Sequence, residues 1–66
     1  MLSKIDQRNF DRFVANSATP TLMERAAKSF LRSAPNQAVF NNRAEAVHGL
    51  PNGAAIIADY AAGNTV

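Results

Sequence analysis

The segment TPTLMERAAKSFLRSAP, residues 19–35, has the clearest helical pattern in the chain and contains a proline near each end. Its apolar side chains recur every three or four positions, as they do on one face of an α-helix. Proline fits the first turn of a helix but not its interior, and it moves the preceding residue away from α geometry. We therefore expect a helix over residues 20–33 that ends before Pro35. The apolar stripe consists of Leu22, Met23, Ala26, Ala27, Phe30, Leu31 and Ala34.

Two residues compete to begin this helix. Thr21 and Glu24 form a T-x-x-E capping box, whereas Thr19 followed by Pro20 offers a start two residues earlier. Glu24 also precedes Lys28 by four residues, which is the favourable order for an ion pair on a helix surface. The pattern predicts that this pair forms.

Pro20, Pro35 and Pro51 divide the chain into four pieces of helical length. In the first piece, Ser3 is a good N-cap and Asp6 has the position of a capping-box acid. We expect an all-α fold, a compact bundle of three to four short helices in a single small domain of residues 1–66. The helices are predicted at about residues 4–16, 20–33, 36–48 and 54–62, with a frayed tail at 63–66.

The third helix is the least certain of the four. Asn36 is a suitable N-cap, but Asn41 and Asn42 fall in the middle of the segment, and asparagine competes for backbone hydrogen bonds. Whether the helix breaks at Asn41–Asn42 stays open. After Gly49, the run Leu50-Pro51-Asn52-Gly53 has turn chemistry and includes residues that tolerate a positive φ.

A chain of 66 residues buries a limited core, so it depends on tight helix packing or on association. The chain has no cysteine and a single histidine, His48, so it offers neither a disulfide nor the ligands of a tetrahedral zinc site. We place His48 at a helix C-terminus, where it complements the helix dipole. The predicted core consists of Phe10, Phe13, Leu22, Ala26, Phe30, Leu31, Phe40, Val47, Ile56, Ile57 and Tyr60.

No pattern in the chain indicates an enzyme, a cofactor or a metal. There is no glycine-rich phosphate loop, and the five carboxylates are scattered without helical pairing among themselves. The longest apolar run, residues 54–58, is far too short to cross a bilayer, and no signal peptide is visible. We expect a cytoplasmic protein without a membrane association. The alternative is a protein of viral origin that acts in the cytoplasm of the host cell.

Basic residues concentrate in the first two helices and form the first candidate site. Two stripes at helical spacing account for all cations but Arg43, and they consist of Lys4, Arg8 and Arg12 and of Arg25, Lys28 and Arg32. Side by side they would make a cationic patch for phosphates or for an acidic protein surface. Two solvated helix faces would have the same pattern, and whether the stripes form one patch stays open.

Aliphatic side chains concentrate at the other end of the chain and form the second candidate site. They are Val47, Leu50, Ile56, Ile57 and Tyr60. This surface would serve as a docking or oligomer face. The alternative, which we slightly favour, is that the last helix lies in the centre of the bundle.

The leading hypothesis is a small non-enzymatic interaction module. It would be a regulator, adaptor or inhibitor that docks on a larger protein through a helical face. A variant of this hypothesis adds self-association of the module. The alternative is a nucleic-acid-binding protein that uses the basic faces of helices one and two. A structural subunit of a larger assembly is the third hypothesis.

Overall fold

The computed structural model of the chain describes residues 1–64, so Thr65 and Val66 of the predicted tail lie outside the described residues. This part of the chain is all-helical and contains no strand, which confirms the predicted fold class. Each observed helix end lies within one residue of its predicted position. The helices are α1 (Lys4–Asn16), α2 (Pro20–Arg32), α3 (Gln37–His48) and α4 (Gly53–Ala61).

Helix α2 begins at the earlier of its two candidate starts. The Thr19 hydroxyl accepts a hydrogen bond from the Leu22 backbone N–H at 3.1 Å, and Pro20 occupies the first turn. Proline lacks an N–H and has a helical φ already, so it is well suited to a position where no intrahelical bond is made. The predicted capping box at Thr21 was therefore wrong. Glu24 instead forms the predicted ion pair with Lys28, at 3.0 Å.

Helix α3 is continuous through its two central asparagines. Asn36 caps it by accepting the Val39 backbone N–H at 2.9 Å. The Asn41 side chain accepts the Gln37 side-chain amide at 2.9 Å, and Asn42 accepts the N-terminal ammonium group at the same distance. Both asparagine side chains are thus engaged by other groups and do not interrupt the helix.

The fully buried apolar residues come from three of the four helices. Ala27 and Leu31 of α2, Val47 of α3 and Ile56 of α4 have at most 2% of their surface exposed. Helix α1 contains no buried residue. The half-buried residues that pack against this core are Phe10, Phe13, Phe30, Phe40, Ala44, Leu50, Ile57 and Tyr60.

Two predicted core positions on α2 were misplaced. Leu22 is 46% exposed, and Ala26 is half-buried while its neighbour Ala27 is buried. The apolar stripe of α2 is wide because the helix contacts α1 on one side and α3 and α4 on the other. Leu22 lies on the edge of the stripe, where no neighbouring helix covers it.

Helix α4 starts in contact with the end of α3. Gly53 is buried, and a Cβ atom there would overlap the carbonyl oxygen of Val47 and lie 2.8 Å from the Cα of His48. Among the described residues only Gly63 has a positive φ, of 91°. The sequence analysis grouped Gly53 with turn residues that tolerate a positive φ, but here the glycine is needed for the close approach of two backbones.

The C-terminus of α4 is closed by hydrogen bonds. The Gly63 N–H donates to the Tyr60 carbonyl at 3.0 Å, and the Asn64 N–H donates to the Asp59 carbonyl at 3.1 Å. This pair of bonds is a Schellman motif, which accounts for the left-handed glycine. Gly63 and Asn64 thus form an ordered helix end and not a loose tail.

Arg43 ties α1 to α2 and α3. Its guanidinium donates two bonds of 3.0 Å to the Asp6 carboxylate and one of 2.8 Å to the Phe30 carbonyl. It also lies 4.6 Å from the centre of the Phe30 ring. Asp6 is in the first turn of α1 and Phe30 is near the end of α2, so Arg43 links the start of α1 to the end of α2. Asp6 is thereby engaged by Arg43, where the sequence suggested a capping-box role.

Candidate functional site

Lys28 is a structural residue in the folded chain. Its side chain is 7% exposed, and its ammonium lies 3.0 Å from a carboxylate oxygen of Glu24 and 3.0 Å from one of Asp59. These contacts link α2 to α4. Lys28 thus lies apart from the exposed cations with which the sequence pattern grouped it.

Lys28 and Asp59 alter each other's protonation. The hydrogen bond to Asp59, followed by that to Glu24, raises the pKa of Lys28 above its ordinary value of 10.5. The bond from Lys28, followed by that from the Asn64 amide, lowers the pKa of Asp59 below its ordinary value of 3.8. Both shifts favour the charged form, so the Lys28–Asp59 ion pair persists across the neutral pH range.

The other five members of the candidate basic patch are exposed. Lys4, Arg8 and Arg12 lie on the side of α1 that faces away from the core, and Arg25 and Arg32 lie on the outer side of α2. Within residues 1–64, Lys4, Arg8, Arg12 and Arg25 have no carboxylate within ion-pair distance. Most of the predicted patch is thus available to a partner.

A shallow groove that starts between α1 and α2 and continues over the surface of α2 carries three of these arginines. It consists of two adjoining depressions that share Leu22 and Ala26: one of about 330 Å³ lies between α1 and α2 and contains Arg12, and one of about 360 Å³ is lined by α2 alone and contains Arg25 and Arg32. We call it the α1–α2 groove. Its lining residues are Asn9, Arg12, Phe13, Asn16, Ser17, Leu22, Arg25, Ala26, Ser29 and Arg32.

The remaining two cations lie in different surroundings. Lys4 and Arg8 line a separate depression with Asp11, whose carboxylate accepts a hydrogen bond from Gln7 at 2.8 Å. The two predicted stripes therefore do not form one uniform patch. They contribute Arg12 from α1 and Arg25 and Arg32 from α2 to a groove without any acidic lining residue.

The second candidate site lies mostly inside the bundle. Val47 and Ile56 are buried, with 0% and 2% of their surface exposed. Leu50, Ile57 and Tyr60 are half-buried against the same core, and the Tyr60 ring lies 5.8 Å from that of Phe40. The large apolar residues of α4 thus help to hold the helices together. The expected central position of α4 was wrong, because α4 packs mainly against α2 and α3 and exposes Ala54, Ala55 and Ala58, whereas α2 contacts all three other helices.

Sequence reasoning missed two residues that matter for the surface. Arg43 was left out of both sites, yet it positions α1 through Asp6. Leu22 was assigned to the core, yet it is the exposed apolar residue in the α1–α2 groove. The signal in the sequence is the width of the apolar stripe on α2. A wide stripe needs two neighbouring helices to cover it, and in a small bundle one edge stays exposed.

His48 is exposed at the end of α3, as its position in the sequence predicts. Among residues 1–64, no three histidine or carboxylate side chains are grouped as metal ligands would be. The helices in this range are also too short or too polar to cross a bilayer.

Comparison with known proteins assigns the chain to no family. No family model, curated protein or solved structure matches it.

Proposed function

We propose that this protein is a small non-enzymatic interaction module that docks on a larger protein through the α1–α2 groove. The observation that carries the proposal is the exposure of Leu22, 46%, in a groove that also displays Arg12 and Arg25. Leu22 adjoins Ala26 and the half-buried Phe13 ring, and an apolar patch rimmed by polar and cationic groups is typical of a protein-binding surface. A regulator, an adaptor or an inhibitor would use such a surface in the same way.

The burial of α4 supports this choice of surface. Val47 and Ile56 already contact neighbouring helices, so their exposure to a partner would require the core to open. Removing such side chains from the core costs about 2–5 kcal/mol each, a large part of the stability of a small domain. Docking through the exposed groove carries no such cost.

The test is an affinity capture from lysate of the source cell, treated with nuclease, with two matched variants as bait. Leu22→Gln changes the exposed apolar residue of the groove, and Ile5→Gln makes the same kind of change at a 75% exposed residue outside the groove lining. We expect a near-stoichiometric protein partner to be captured by the wild type and by Ile5→Gln but lost with Leu22→Gln. Capture that Leu22→Gln leaves unchanged would contradict the proposal.

A nucleic-acid-binding protein is the second candidate function. The observation in its favour is that Lys4, Arg8 and Arg12 share the outer side of α1 without a carboxylate at ion-pair distance in the described chain. Contacts with phosphates would make affinity for a duplex fall steeply with salt. Measured by fluorescence anisotropy, duplex affinity should then fall in the double variant Arg8→Glu with Arg12→Glu. Affinity independent of salt or of these two charges would exclude this candidate.

A further inference from the structure

The internal ion pairs leave the outer surface of α1 and α2 more basic than the net charge of +2 indicates. Asp6 is paired with Arg43, and Glu24 and Asp59 are both paired with Lys28. Three of the five acids are thus engaged by only two of the seven cations. The surplus of positive charge lies on the surface of the first two helices.

The two acids outside these pairs lie away from the α1–α2 groove. Asp11 lines the depression that contains Lys4 and Arg8, and Glu45 is exposed on α3. Among residues 1–64, no carboxylate lines the groove, and Glu24, which shares a neighbouring depression with Arg25, is paired with Lys28. A macromolecule seated there meets Arg12 of α1 in the first depression and Arg25 of α2 in the second.

The base of the groove is apolar. Leu22 and Ala26 are common to both depressions, and the half-buried Phe13 ring extends the apolar surface toward α1. A phosphate backbone would gain little from this surface, because its contacts are made to charged and polar groups. Aliphatic side chains of a protein would gain about 25 cal/mol for each Å² of apolar area removed from water.

The shape of the groove suits a helix. Two packed helices with a shallow depression beside them present the same type of seat that a third helix occupies in a bundle. Each of α1 and α2 has 13 residues, so about 20 Å at 1.5 Å per residue is the upper limit on the length of the seat. That length accommodates about four turns of a partner helix.

We propose that the partner presents an acidic amphipathic helix, which lies in the α1–α2 groove with its apolar stripe on Leu22 and Ala26 and its flanking carboxylates beside Arg12 and Arg25. This inference rests on the proposed function and names the partner chemistry of the same site. In paired helices, leucines form the apolar interface between the helices, and flanking glutamates select the partner.

The test uses a synthetic probe and the full chain. The probe is a capped peptide of about 14 residues with leucine at alternating three- and four-residue spacing and glutamate on both flanks, which matches the length of the seat. A scrambled peptide of the same composition is the control ligand. Binding is measured by calorimetry at low and high salt, and circular dichroism verifies that each protein variant is folded.

Two double variants with equal net charge locate the site. Arg12→Gln with Arg25→Gln removes charge from both walls, and Lys4→Gln with Arg8→Gln removes the same charge outside the groove lining. We expect the first pair to weaken peptide binding about tenfold and the second about twofold or less, because rim ion pairs contribute up to about 1 kcal/mol each. Leu22→Gln should also weaken binding about tenfold.

Several results would overturn the proposal. These are the absence of peptide binding at low salt, equal affinity for the scrambled peptide, equal weakening by the two double variants, or tighter binding of duplex DNA through the same arginines. If the peptide does not bind but the Leu22-dependent capture from lysate persists, the proposed function stands and the acidic helix is wrong. If both fail, the groove is not a docking surface.

Discussion

The two halves of the molecule use apolar side chains in opposite ways. In α3 and α4, Val47 and Ile56 are buried, and Gly53 lets the two backbones touch. In α1 no residue is buried, and the helix is held by half-buried aromatic rings and by the pair between Asp6 and Arg43. Val47 and Ile56 of the C-terminal half share the buried core with Ala27 and Leu31 of α2, whereas α1 contributes no buried residue and presents exposed charge.

This difference shows which part of a small helical bundle keeps apolar surface exposed. Helix α4 packs against both α2 and α3, so its large aliphatic residues Ile56 and Ile57 are used for stability. Helix α1 contacts α2 at one side, so the outer edge of α2 keeps an exposed leucine. The surface available for binding is thus the α1–α2 groove, which lies beside α1, the helix without a buried residue.

The largest effect is expected from Gly53→Ala. The new methyl group would overlap the Val47 carbonyl, so α4 would have to move away from α3. We expect the free energy of unfolding, measured by urea denaturation, to fall by about 3 kcal/mol or more. Gly49→Ala is the control, because its Cβ would lie at van der Waals distance, 3.4 Å, from the Ala46 carbonyl oxygen at a φ of −73°, and it should change stability by no more than about 1 kcal/mol. Equal effects would show that the α3–α4 contact is not tight.

Arg43→Met should have the next largest effect and should be felt mainly in α1. The change removes the bonds to Asp6 and Phe30 but keeps an aliphatic stem. We expect a loss of about 2 kcal/mol, because hydrogen bonds to charged groups are stronger than neutral ones. Hydrogen exchange should accelerate more in α1 than in α4. Uniform acceleration in all helices would show that α1 is not attached independently.

Thr19→Ala should cost about 1 kcal/mol, because it removes the side-chain oxygen that caps α2. Thr21→Ala is the matched change inside the helix and should cost no more than a few tenths of a kcal/mol. Thermal unfolding followed by circular dichroism measures both. A larger loss for Thr21→Ala would indicate that the capping box forms after all.

The smallest effect should come from pH acting on the Lys28 cluster. The pKa of Asp59 is lowered, so its stabilisation is complete above 3.8 and is lost as the pH falls through the lowered pKa. The pKa of Lys28 is raised, so the stability that Lys28 contributes is complete below pH 10.5 and is lost as the pH rises through the raised pKa.

Lys28→Met serves as the reference protein in unfolding experiments from acidic to alkaline pH. The stability difference between the two proteins should be constant near neutrality and shrink at both extremes. A constant difference down to strongly acidic pH would contradict the pairing.

Local features of the sequence were good guides to the helices. Ser3 and Asn36 cap α1 and α3 as their positions predict, and proline at residue 20 begins α2. A cap acts within one turn of the helix, so its effect is readable from neighbouring residues. The choice between Thr19 and Thr21 was harder, because both satisfy the same local rule.

The candidate sites were less predictable. Lys28 and Arg25 have the same charge and lie three residues apart, yet one is buried in an ion-pair cluster and the other lines a groove. The partner that draws Lys28 inward is Asp59, which is 31 residues away along the chain. Such a contact depends on how the helices cross, and helical spacing alone contains no information about it.

The sequence by itself determined the four helices and their ends, because proline geometry and side-chain caps operate over a few neighbouring residues. Only the tertiary structure decided which apolar residues became core and which became surface. Leu22 and Ile56 have similar hydrophobicity, but Ile56 is 2% exposed where α4 packs against α2 and α3, whereas Leu22 is 46% exposed at the edge of α2. The physical reason is that burial is a property of neighbours from distant parts of the chain, and their arrangement is set by the packing of the whole bundle.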